Sequence, residues 1–168
     1  KMKKFLSLTL ALAMLGTALT GCGSKTAAPE TSVEPTQQTA PYQQEQSQTE
    51  KALALINTFA TGDTDTARSL LSDGYIQHNL AYGTGADAFI GSVEYLASAD
   101  VKTTVNNIRA FEDGDKVFLQ TIYNFAGAGE QVAFDIFRFD EDGKIAEHWD
   151  VMETIADQST WQNQNGKF

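Results

Sequence analysis

The chain lacks most of the residue patterns that mark the commoner chemistries. It has one cysteine, Cys22, so no disulfide can form within it. It has two histidines, His78 and His148, and no Cys/His cluster at metal-binding spacing, which makes a structural zinc site a poor reading. No glycine-rich phosphate loop stands between a strand and a helix, and no Gly-x-Ser-x-Gly elbow occurs. Nucleotide and serine-hydrolase readings fall with them. The three prolines, Pro29, Pro35 and Pro41, all precede the region where a fold can be read. Basic residues are scarce too: 12 Lys and Arg against 22 Asp and Glu leave a formal charge of −10. That acidity argues against nucleic acid as a partner, and against an electrostatic grip on anionic lipid.

What is present begins with an address. Lys1, Lys3 and Lys4 form a basic start, and Phe5 to Ala18 is an apolar run. The run suits a signal peptide and is short for a membrane span. Leu19-Thr20-Gly21-Cys22 looks like the bacterial lipobox, in which the cysteine is lipidated and becomes the first mature residue. The expectation is a signal peptide over 1–21 and a lipid-anchored protein at the extracytoplasmic face of the cell membrane, held by acylated Cys22. Removal of 1–21 takes away three lysines and no acid, so −10 becomes −13. Residues 22–49 then read as the lipidated Cys22 and a disordered tether rich in Gln, Thr, Ser and Pro.

Residues 50–155 read as one domain, with 156–168 as a polar C-terminal tail carrying Trp161. Glu50–Thr61 spaces Leu53, Ile56 and Phe59 as a helix does, and Gly62 stops it. A second helix is predicted over 63–73, with Ala67, Leu70 and Leu71 on one face, ended by Gly74. YIQHN (75–79) is a short extended piece, and 84–98 a third helix burying Phe89, Val93 and Leu96. After Asp100 the apolar period changes to two. Strands are predicted over 101–113, 116–127, 130–140 and 144–154. Helices followed by antiparallel strands make an α+β pattern, with the helices on one face of the sheet.

The last hairpin, FRFDEDGKIAEHWDVMET, carries the triplet His148-Trp149-Asp150. A three-residue turn at Glu141-Asp142-Gly143 pairs Asp140 with Lys144 and Phe139 with Ile145. Continued without interruption, this register sets Asp135 against Trp149 and Ile136 against His148. Trp149 would then share a face with Asp135 and Glu147, and His148 and Asp150 would share the other with Arg138. A slip of one residue exchanges the groupings. Both faces are largely apolar, so a homodimer packed sheet to sheet is expected.

The helix order, YIQHN and FDIFRFDEDGKIAEHWDV together resemble the SnoaL-like branch of the NTF2-like superfamily. The resemblance implies a cone-shaped barrel: three N-terminal helices packed on a curved antiparallel sheet, with a pocket at the open end. Related polyketide cyclases use such a pocket for aldol condensation, and related isomerases for proton shuttling. Neither needs a metal or an organic cofactor. The resemblance implies roles for His78 in the segment before the third helix, Asp135 in D-I-F-R, and Glu147 to Asp150 in E-H-W-D. Leu80 and Met152-Glu153-Thr154 depart from the family pattern, and Glu153 competes with Asp150 for the acid/base position.

The candidates are therefore His78, Asp135 and Asp150 as catalytic groups, and Trp149, His148 and Glu153 as binding groups. No cofactor is expected. A metal held by His78, His148 and Asp150 is not expected either, because their spacing is unspecific. Two functions remain open. One is acid/base chemistry on a small carbonyl compound. The other is a non-catalytic module that binds a small apolar ligand or a protein partner; the extracytoplasmic address favours it, because polyketide intermediates are made in the cytoplasm.

Overall fold

The computed structural model describes residues 46–168. The signal-peptide, lipobox and Cys22 expectations, and all but the end of the tether, lie outside the described residues. Helix α1, Gln48–Thr61, starts from a capping box: Ser47 Oγ accepts from the Glu50 N–H at 3.1 Å, and Glu50 Oε2 accepts from the Ser47 N–H at 2.8 Å. It ends at Gly62, whose φ of 74° satisfies the last turn. A Cβ at Gly62 would lie 2.8 Å from Ala97 Cβ, so the close approach of these two backbones also requires glycine there.

Helix α2, Thr64–Leu70, is capped by Asp63 and is shorter than the sequence pattern predicts. Leu71 is not on its apolar face. It opens strand β1, Leu71–Gln77, and is buried there. Helix α3 is Ala86–Ser98. Four strands follow: β2 Thr104–Asp113, β3 Lys116–Asn124, β4 Gln131–Phe139 and β5 Ile145–Thr154.

The strands form one sheet in the order β1-β5-β4-β3-β2. The four predicted strands, β2 to β5, pair antiparallel as expected. Strand β1 instead lies parallel to β5, so the sheet is mixed. Three helices cover one face, and the core between layers centres on Leu55, Ile56, Val93, Val117, Leu119, Phe137 and Ile145, all buried. Among the described residues no helix is long and apolar enough to cross a membrane.

The β4–β5 turn forms as the sequence predicts. Asp140 N–H donates to the Lys144 carbonyl at 2.9 Å, and Gly143 takes φ 69°. Phe139 pairs with Ile145. Beyond that pair the uninterrupted register is wrong. A bulge inserts Ala146, and Arg138 faces Glu147 instead. Two features fit the extra residue: Ala146 is small enough to be buried at the bulge, and Arg138 Nε donates to Glu147 Oε1 at 2.7 Å. Every later pair moves by one, so Phe137 faces His148, Ile136 faces Trp149 and Asp135 faces Asp150. Asp135, His148 and Asp150 share the inner face; Glu147 and Trp149 share the outer face with Arg138.

Candidate functional site

The inner face of the sheet and the helices enclose a cavity of about 660 Å³. Its walls are mostly apolar and aromatic, with Phe59, Phe89, Phe125 and Met152 among them. Asp135, His148 and Asp150 line it together with Tyr75, Gln77 and Tyr123.

Strand alternation builds this polar end. On β1 and the residues after it, Tyr75 and Gln77 point inward, while Ile76 is half exposed and His78 faces outward. The parallel pairing sets Gln77 beside His148, and the His78 N–H donates to the His148 carbonyl at 2.9 Å. The Asn79 N–H donates to Gln77 Oε1 at 2.9 Å, which fixes the orientation of that amide. Gln77 Nε2 then faces Tyr75 Oη at 3.3 Å and His148 Nδ1 at 3.0 Å. His148 Nδ1 therefore accepts, and the ring proton sits on Nε2, which donates to Asp135 Oδ1 at 3.1 Å. Tyr123 Oη donates to the other Asp135 oxygen at 3.0 Å. Phe137 stacks on the imidazole, centroids 4.4 Å apart and planes 7° apart.

Asp150 is held differently. Asn79 Nδ2 donates to its Oδ1 at 2.7 Å, and the Ala81 N–H fixes the Asn79 amide through Oδ1 at 2.9 Å. Asp150 Oδ2 makes no hydrogen bond among the described residues and lies 4.0 Å from His148 Nε2. Burial, then Asp150, then Asp135, push the Tyr75 phenol well above its ordinary range. Burial and Asp150 raise Tyr82, and burial and Asp135 raise Tyr123. These phenols stay protonated and act as hydrogen-bond donors at neutral pH.

One ligand atom each from Asp135, His148 and Asp150 lies within 4.8 Å of the others, a spacing that could hold a metal ion. The donor chemistry fits a metal badly. The nitrogen turned toward both carboxylates is the protonated one, and the imidazole lone pair is engaged by Gln77 on the opposite side.

The SnoaL-like domain family model matches residues 52–148, more than half of the chain. The chain belongs to the SnoaL-like family. A search of curated proteins returns no match. Solved structures agree on the fold. An NTF2-like protein of unknown function from Cytophaga hutchinsonii has a TM-score of 0.56 at 16% identity, covering 66% of this chain and 94% of that one. An LEH-like epoxide hydrolase from M. tuberculosis gives 0.55 at 18%, covering 63% and 82%. IdmH of Streptomyces antibioticus, a candidate polyketide cyclase, gives 0.52 at 18%, covering 64% and 93%. At these identities the likeness establishes the NTF2-like α+β fold alone.

Within this SnoaL-like domain, the sequence-predicted residues separate into two sets. Asp135, His148 and Asp150 converge on the cavity. His78 does not join them. It stacks on Trp149 at 4.4 Å and 5°, and its Nε2 lies 3.0 Å from Glu147 Oε2 on the outer face. Hydrogen bonds from His78 and then Arg138 hold the Glu147 carboxyl below its ordinary range. Trp149 is thus an outer-face residue, and Glu153 is exposed and paired with Lys167 at 2.7 Å. The tail is also tied down, since Gln120 Nε2 donates to the Lys167 carbonyl at 2.9 Å. Sequence reasoning missed Tyr75, Gln77, Asn79, Tyr82 and Tyr123. The signal for three of them was present: in YIQHN, Tyr75, Gln77 and Asn79 alternate with Ile76 and His78.

Proposed function

We propose that this SnoaL-like domain binds a small, largely apolar carbonyl compound in the cavity and moves a proton at the carbon next to the carbonyl. The observation that carries the proposal is Asp150. Asp150 lines the cavity, and its Oδ2 has no donor within hydrogen-bond distance among the described residues, while Oδ1 is anchored by Asn79. A lone pair on a fixed, nearly buried carboxylate is suited to act as a general base. Asp150 takes the proton; Tyr75, whose oxygen accepts from Gln77, keeps its own O–H for the developing enolate oxygen. His148 and Asp135 position this end of the cavity. The same groups serve a cyclisation or an isomerisation, which differ in what the enolate does next. The test is deuterium uptake by benzylacetone, a simple apolar ketone, in D2O. Uptake accelerated by the protein supports the reading; no acceleration at saturating protein ends it.

A non-catalytic binding role is the second reading. It is favoured by the closed bonding of Asp135 and His148, whose polar atoms are all matched by protein partners. Benzylacetone bound without deuterium uptake would select it.

The address belongs to the same proposal. Acylated Cys22 holds the domain at the extracytoplasmic face of the membrane, supported by Leu19-Thr20-Gly21-Cys22 behind an apolar run. Cys22→Ser is expected to move the protein from the membrane to the soluble fraction; continued membrane association would refute the anchor. The expected homodimer also remains part of the proposal. Phe111, Phe118, Ile136 and Trp149 form a continuous row across the outer face of four strands. Sedimentation is expected to give the mass of two chains, and of one chain for Phe118→Glu. A single-chain mass for the unaltered protein would remove the dimer.

A further inference from the structure

The polar end of the cavity contains two carboxylates and one imidazole, His148, and no lysine or arginine among the described residues. Asp135 and Asp150 lie directly opposite each other on adjacent strands, their side chains 4% and 7% exposed. Like charges in that arrangement oppose each other across the sheet, and burial removes the water that would screen them. The donors that answer them are a phenol, an amide and a singly protonated imidazole, none of which brings a positive charge. No lysine or arginine among the described residues lines the cavity. Arg138 is engaged by Glu147 on the other face, Lys102 by the carbonyls of Ala97 and Ala99, and Lys167 by Glu153.

The rest of the wall is an interlocked set of rings. Phe59 packs at 4.9 Å on Phe89 and at 5.7 Å, edge to face, on Phe125; Phe125 stacks on Tyr123 at 4.9 Å. Tyr75 meets Phe89 edge to face at 6.0 Å. Ring faces carry partial negative charge and attract cations, most strongly where water is excluded. Carboxylates and rings thus impose one sign of potential on the whole interior. An anionic guest, such as a fatty acid, would add a third negative charge in a medium that screens poorly.

We infer that the ligand of this cavity is a hydrophobic ammonium compound: a positively charged nitrogen on an apolar body of a size that 660 Å³ can hold. The charge lies in the field of both carboxylates and against the ring faces, and the lone pairs of Asp150 stay available to a neighbouring carbon. The inference rests on the cavity being a small-molecule site, and it narrows the carbonyl compound proposed above to one that also carries an amine.

The experiment compares three probes of one shape and different charge by calorimetric titration of the purified chain: phenylpropylammonium, benzylacetone and phenylpropanoate. Phenylpropylammonium is expected to bind roughly tenfold or more tightly than benzylacetone, and phenylpropanoate most weakly. In Asp150→Asn the ratio of ammonium to benzylacetone affinity should fall most of the way toward one. If Asp150→Asn does not fold, Asp135→Asn removes the other charge and is read the same way. Benzylacetone binding as tightly as the ammonium, or an advantage untouched by the Asn variant, overturns the charge inference and leaves the cavity reading intact. Binding of none of the three overturns the cavity reading itself.

Discussion

Asp150→Asn is expected to slow deuterium uptake by benzylacetone about 10²–10⁴-fold, the usual contribution of a positioned general base. The substitution is nearly isosteric. An amide oxygen at the Oδ1 position still accepts from Asn79 Nδ2, so the loop from Asn79 to Ala81 keeps its anchor. The group lost is the basic oxygen that no protein donor engages. Folding should survive, and thermal stability should hold or rise slightly, because the carboxylate opposite Asp135 is gone. Exchange rate and melting temperature therefore separate the catalytic role from a structural one. A variant that melts as before and exchanges as fast as the unaltered protein would exclude Asp150 as the base.

Phe137→Ala is expected to cost about 3–5 kcal/mol of stability, the usual range for emptying a phenylalanine site in a core. Phe137 is fully buried at the centre of β4, and its ring lies flat against His148. Removing it leaves a void between sheet and helices that backbone paired on both sides cannot close easily. For a domain of typical stability, about 5–15 kcal/mol, this is a large share. It also frees the imidazole to tilt away from Asp135. Urea unfolding of the variant should show a much lower midpoint, whereas Phe137→Leu, closer in volume, should cost under about 1.5 kcal/mol. A loss below about 1 kcal/mol for the alanine variant would contradict the packing described for Phe137.

Much of the fold was legible because its elements are strongly periodic. Leu53, Ile56 and Phe59 mark α1, and the change to a period of two after Asp100 marks the strands. Gly62 and Gly143 stop the chain where it must take positive φ. Leu71 was misplaced because an apolar residue after a short helix fits either the last helical turn or the first strand position. Its strand pairing with Ile145, far along the chain, decided between them.

The site was legible as a set of residue types and not as an arrangement. Asp135, His148 and Asp150 stand out in the sequence, yet uninterrupted alternation assigns Asp135 to one face and the other two to the opposite one. A single inserted residue, Ala146, reverses that assignment, and nothing local in KIAEHWD announces it. Its position depends on the β4 strand beside it and on the Arg138–Glu147 contact across the pair. His78 was drawn into the site by the family resemblance, although its place in YIQHN, between Gln77 and Asn79, puts it on the outer face.

The sequence by itself determined the α+β order of elements, the turn at Glu141-Asp142-Gly143, the acidic balance and the residues able to carry proton chemistry. Each of these follows from residue type, local spacing or composition. Tertiary structure alone decided that β1 runs parallel to β5, that Gln77 sets the proton on His148, and that Asp135 and Asp150 face each other. The first two depend on contacts between segments about 70 residues apart, and the third on the bulge at Ala146 within the β4–β5 hairpin. The physical reason is the two-residue period of a strand: one bulge, set by pairing with the neighbouring strand, turns every following side chain to the other face.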